Sequence, residues 1–188
     1  MKKPMRPFFS GIAMPEWLAE RQHTFPSLTL PSPEERVRLT VALAAENVRR
    51  KTGGPFAAAV FERKSGRLVA AAVNVVEPSG QSLAHAEMLA IAAAQEAEET
   101  FDLSHCELVS SCEPCVMCFG GTLWSKVTSL VYGAPGEFAR SVGFDEGDKV
   151  PDWREALERR GIKVRGPLEE EAAREPFELY RSLGGTIY

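Results

Sequence analysis

The chain has 188 residues, 44% of them hydrophobic and 26% charged, with a formal net charge of −4. That length points to one domain with a real core, and the composition excludes wholesale disorder. A domain built to grip a nucleic-acid backbone usually carries a basic excess, so the acidic balance favours a small substrate over nucleic acid.

No apolar run approaches the length of a membrane span. The chain opens Met1-Lys2-Lys3, but Pro4, Pro7 and Pro15 interrupt any signal-like apolar core, so an uncleaved, cytoplasmic protein is expected. Residues 1–31 carry five prolines and read as an N-terminal extension with one helical stretch, Pro15 to Gln22. The regular domain, residues 32–188, starts at Ser32-Pro33-Glu34-Glu35. Ser32 can cap, Pro33 suits the first helical position and Glu35 completes a capping box.

A helix is predicted from there to about Lys51, ended by Gly53-Gly54-Pro55. Phe56–Glu62 and Leu68–Val75 read as strands of a hairpin around Ser65-Gly66. Ala84–Glu99 is an alanine-rich helix by propensity. Glu107–Ser111 is a short strand, Pro114 opens a helix to about Trp124, and Ser129–Tyr132 is a strand. Asp152–Arg160 is a helix with Gly161 at its cap, and Ile162–Arg165 is the last strand. Leu168–Leu183 reads as helical, broken at Pro176. This order predicts an α/β fold, a mixed sheet with helices on both faces.

Two motifs carry the chemistry. His85-Ala86-Glu87 opens one predicted helix, and Pro114-Cys115-Val116-Met117-Cys118 opens another. His85, Cys115 and Cys118 supply one nitrogen and two sulfurs, a set that tetrahedral zinc accepts while keeping a fourth position for water. The positive end of a helix dipole favours thiolates at the two cysteines. Zinc can bring its water to a pKa of about 7. Glu87, not needed as a ligand, can take the water proton, deliver it to a ring nitrogen and then protonate the leaving amine.

Simpler readings compete. Cys-x-x-Cys alone fits a redox pair or half of a structural zinc site, with Cys112 the nearest fourth ligand. A redox pair leaves His85 and Glu87 unexplained, and the Pro-Cys-x-x-Cys frame selects Cys115 and Cys118. Cys106 reads as a small buried residue.

The paired motifs match the zinc-deaminase signature of enzymes that act on bases. The chain resembles the cytidine deaminase superfamily, and within it the guanine deaminase branch, some of whose members accept ammeline. Beside the two motifs, the resemblance rests on Gly53-Gly54-Pro55-Phe56, Asn74, Ala84, Ser111-Cys112-Glu113, Phe119-Gly120, Gly143-Phe144-Asp145-Glu146-Gly147 and the terminal Ile187-Tyr188. It implies a three-layer α-β-α cytidine deaminase-like fold with a mixed five-stranded sheet. It implies a Zn2+ cofactor and hydrolysis of guanine to xanthine and ammonia. It also implies a homodimer, in some relatives with exchanged C-terminal segments.

The resemblance further implies a pocket. Phe56 and Trp124 would stack on the base, Asn74 would bond its polar edge, and Ala84 and Tyr188 would complete the contacts. Phe56 equally fits plain core, and Trp124 equally fits a subunit interface. Asn74, in an apolar stretch, is the more telling residue, because a buried amide needs partners. An acid of the loop, Glu146 ahead of Asp145, would lie over the substrate. An acceptor-only carboxylate matches the N1–H and 2-amino donors of guanine. Guanosine, ammeline and cytosine stay open as substrates. So do a tRNA adenosine deaminase and a non-enzymatic zinc domain.

Overall fold

The computed structural model describes residues 12–188. The reading of residues 1–11 as extension lies outside the described residues. From Ile12 onward the N-terminal segment packs on the domain. A one-turn helix, α1 (Glu16–Ala19), and a 3₁₀ turn (Gln22–Ser27) bury Trp17, Leu18 and Phe25. Backbone bonds between Leu30 and Gly66 and between Leu68 and Leu28, both 2.9 Å, tie the segment to the hairpin.

The next helix, α2 (Pro33–Arg49), starts on the predicted capping box. The Glu35 amide donates to Ser32 Oγ at 3.2 Å, and the Ser32 amide donates to Glu35 Oε2 at 3.0 Å. The chain continues as β1 (Ala57–Glu62), β2 (Leu68–Val73), α3 (Val76–Ser79) and α4 (Ala86–Ala97). It then forms β3 (Cys106–Cys112), α5 (Val116–Ser125), β4 (Ser129–Ala134) and α6 (Gly136–Ser141). It ends with α7 (Trp153–Glu158), β5 (Lys163–Arg165) and α8 (Glu170–Ser182).

The five strands form one mixed sheet in the order β2-β1-β3-β4-β5. β1 is antiparallel to β2 and β3, while β3, β4 and β5 run parallel. Helices α2 and α8 cover one face, and α4, with α5 beside it, covers the other. Alternation along β1 serves both layers. Ala57, Ala59 and Phe61 enter one core, and Ala58 and Val60 enter the other. Burial on both faces explains why the strands read as unbroken apolar runs. The architecture is the three-layer α/β arrangement expected. Among the described residues, no helix is long and apolar enough to cross a membrane.

Three details differ from the sequence reading. β2 stops at Val73, so Asn74 lies just past the strand. The one-turn helices α3 and α6 were not anticipated, because four to six residues carry too little periodicity to register. Pro176 does not break the last helix: α8 runs through it. Pro176 lacks an amide proton and cannot bond back to residue 172. It shares a buried stripe with Ala173, Phe177 and Tyr180, and packing of that stripe against α2 and β4 outweighs the missing bond.

Candidate active site

Helices α4 and α5 both start at the same end of the sheet. His85 is the N-cap residue of α4 and Cys115 that of α5, both in extended backbone conformation. Cys118 lies one turn into α5. The donor atoms of His85, Cys115 and Cys118 all lie within 4.8 Å of one another. His85 Nδ1 is 3.5 Å from Cys115 Sγ and 3.7 Å from Cys118 Sγ. Tetrahedral zinc, with bonds of about 2.0 Å to nitrogen and 2.3 Å to sulfur, separates such donors by about 3.5 Å. The donor set therefore fits Zn2+.

Hydrogen bonding from Cys118 brings the Cys115 thiol down to about 4, and the same contact and burial raise Cys118. A thiolate is thus available to a cation. Burial works against a proton on His85, but bonding to Cys115 and the charge of Glu87 outweigh it and leave its pKa raised. Cys112 is buried at the end of β3, its thiol pushed well up by burial, and it is not in the cluster. Among the described residues the group is a set of three, which suits a catalytic site more than a closed structural one. Cys106 is buried at the start of β3, as expected of a small packing residue.

Glu87 is buried on the first turn of α4. Its Oε1 accepts from Ser110 Oγ at 3.0 Å, and its Oε2 accepts from Cys118 Sγ at 3.4 Å. Burial, then the charge of Cys115, raises its pKa. Ser110 was missed by sequence reasoning. Its one signal was a hydroxyl in a strand otherwise rich in apolar residues, and that fits a strand surface equally well.

A cavity of about 390 Å³ opens beside this cluster, with Phe56, His85, Glu87, Phe144, Glu146 and Tyr188 among its walls. Phe56 meets Phe144 edge-on at 4.9 Å and Phe177 at 5.0 Å. Glu146 is 5% exposed, and its Oε2 is sealed and has no hydrogen-bond partner among the described residues. Burial, then the charges of Cys115 and Glu87, pushes its pKa up to about 8. Asp145 is exposed; its Oδ1 accepts the Gly147 amide at 2.9 Å. The loop presses close: a Cβ at Gly147 would come within 2.4 Å of Val116, and the Val116 amide donates to the Glu146 carbonyl at 3.0 Å.

Tyr188 reaches Asn74. Its hydroxyl donates to Asn74 Oδ1 at 2.5 Å, and its ring lies edge-on to Phe144. Asn74 is 1% exposed and is held further by the Val76 amide and by Asn47, whose Nδ2 donates to the Asn74 carbonyl at 2.9 Å. Neither Asn74 nor the buried Ala84 is among the cavity-lining residues.

Trp124 is not brought to the cavity; it is 81% exposed. The ligands sit at the start of α5, and nine residues of helix carry Trp124 about 13 Å further along the axis.

A sequence model of the cytidine and deoxycytidylate deaminase zinc-binding region matches residues 32–134. Guanine deaminase of Bacillus subtilis (strain 168) is 33% identical over 151 residues, spanning 80% of this chain and 94% of that one. A solved structure of guanine deaminase from Nitrosomonas europaea is 44% identical, covers 91% of this chain and 95% of its own, and superposes with a TM-score of 0.86. A structure of NE0047 in complex with 2,6-diaminopurine is also 44% identical, covers 94% and 95%, and has a TM-score of 0.87.

Proposed function

Because the chain belongs to the cytidine and deoxycytidylate deaminase family, in its guanine deaminase branch, we propose that this zinc-binding deaminase hydrolyses guanine to xanthine and ammonia. The observation that carries the choice of base is Glu146. It is an acid on the cavity wall with one oxygen sealed and unpartnered. Guanine brings two adjacent donors, N1–H and the 2-amino group, to a carboxyl so placed. Cytosine brings a ring acceptor beside its amine instead.

Zinc held by His85, Cys115 and Cys118 supplies a Lewis acid that makes water nucleophilic near neutral pH. Ser110 holds Glu87 Oε1, which leaves Oε2, the oxygen on the ligand side, as the proton carrier. Glu87 takes a proton from the attacking water and passes it to the ring nitrogen N3. It then moves the hydroxyl proton of the adduct at C2 onto the 2-amino group, and ammonia leaves. Raised pKa values suit a group that must both take and return a proton.

Glu146 refines the sequence expectation. Burial, then the charges of Cys115 and Glu87, raises its pKa in the absence of a base. Donors on the base stabilise its ionised form, the acceptor that N1–H and the 2-amino group require. Phe56 and Phe144 form an aromatic wall for the base, and Tyr188, held by Asn74, closes its far edge.

An exposed apolar patch on α5, with Val116 42% and Trp124 81% exposed, supports a homodimer. The tail of this chain reaches its own site through Tyr188, which needs no exchange of C-terminal segments. The test of function is product analysis. Guanine and zinc-loaded protein should yield xanthine and ammonia in equal amounts, and guanine recovered intact would reject the assignment.

A further inference from the structure

Lys149 is the least expected residue near the site. Lysines are seldom buried unless paired, yet its side chain is 7% exposed, against 12% for Glu113, with which it forms an ion pair. Nζ also donates to the Pro114 carbonyl at 2.9 Å and lies 4.8 Å from the centre of the Trp153 ring. Trp153 opens α7 and packs on Tyr132 of β4. Trp153 and Tyr132 therefore back an ammonium that grips residues 113 and 114, immediately before the ligand Cys115.

We propose that Lys149 is a positioning residue that pins the acid loop, residues 143–149, onto the zinc-ligand turn and so keeps Glu146 in the cavity. Two further contacts share the seam it closes, the Val116 amide on the Glu146 carbonyl and Gly147 against Val116. Lys149 also sorts the acids of the cavity. Glu113 and Glu146 both line it. Pairing occupies Glu113 and leaves Glu146 free to meet the base. Without the ammonium, a largely buried carboxylate stands unpaired in the same cavity lining, and that is strongly unfavourable. The loop then lifts, and a misplacement on the order of 1 Å costs up to about 10²-fold in turnover.

The assignment rests on the deaminase reading only where turnover is measured; the exchange measurement below uses no substrate. Zinc-loaded wild type, Lys149→Met, Lys149→Arg and the double variant Lys149→Met with Glu113→Gln are compared by amide hydrogen exchange at Val116 and residues 143–150. Zinc content and the kinetics of guanine deamination are measured alongside. The double variant carries no unpaired charge, so it folds even where the single one does not, yet it still lacks the pin. Both Met-bearing proteins should keep their zinc, exchange about 10-fold faster in this loop, and lose about 10-fold or more in kcat with a smaller change in KM. Arg keeps the charge and several donors and should recover both readouts to within about threefold. Wild-type exchange in a folded Met-bearing variant overturns the proposal. So does faster exchange with unchanged kcat, or an Arg variant no better than Met. If wild type leaves guanine intact, the functional assignment fails while the exchange data still decide the pin.

Discussion

Glu87 Oε2 lies 3.4 Å from Cys118 Sγ, yet Glu87 is not in the group whose donor atoms all lie within 4.8 Å of one another, so the carboxyl stands beside the ligand set and not within it. Its other oxygen is held by Ser110. Glu87→Gln should therefore keep the fold and about one zinc per chain while losing about 10²–10⁴-fold in turnover. Zinc analysis and kcat on the same preparation check this. A variant within a few-fold of wild type would show that another group moves the proton.

Asp145 and Glu146 are neighbours with unlike surroundings. Asp145 spends its carboxylate on its own loop, whereas Glu146 is sealed and unpartnered. Glu146→Gln should cost guanine turnover about 10²-fold or more, through the partner lost by a buried substrate donor. Asp145→Asn should stay within a few-fold. The reverse order would move the base-reading role to Asp145.

Metal and activity should disappear together. Cys115→Ala removes one of three donors, and the remaining two make a poor zinc site. Dialysis of wild type against a chelator should abolish turnover, and added zinc should restore it. Full activity in protein shown to be metal-free would be incompatible with the mechanism.

The β1–β2 turn makes a separate prediction about pH. Hydrogen bonds from the Ser65 side chain and from the Ser65 and Lys64 amides hold Glu62 down at about 2, below its ordinary 4.5. A depressed acid contributes stability that is fully present above the unfolded value and lost as pH falls through the folded one. Wild-type denaturant midpoints should accordingly fall between about pH 5 and about pH 2 more steeply than those of Glu62→Gln. Parallel curves for the two proteins would remove Glu62 from the account.

What could be read in the sequence was local. The capping box at Ser32, the hairpin around Ser65-Gly66 and each half of the zinc motif, His85-Ala86-Glu87 and Pro114–Cys118, lie within a few residues, and each carries its own physical signature. The parts that could not be read depend on contacts across the fold. Ser110 meets Glu87 only because β3 lies beneath α4, and Lys149 meets Glu113 across 36 residues of chain. Pro176 was expected to break a helix because local propensity counts only the missing amide, while burial of its stripe decided the outcome. Trp124 went to the surface for a geometric reason: a helix that presents ligands at its first turn carries its last turn away from them.

The most direct test of the central claim is kcat/KM for ammonia release from guanine, compared under the same conditions with guanosine, ammeline, cytosine, cytidine and adenosine. The arrangement of Glu146 and Glu87 beside one cavity calls for guanine to exceed cytosine by about 10²-fold or more, since cytosine sets an acceptor where guanine sets a donor. Cytosine or adenosine turned over as fast as guanine would contradict the claim that this site reads guanine.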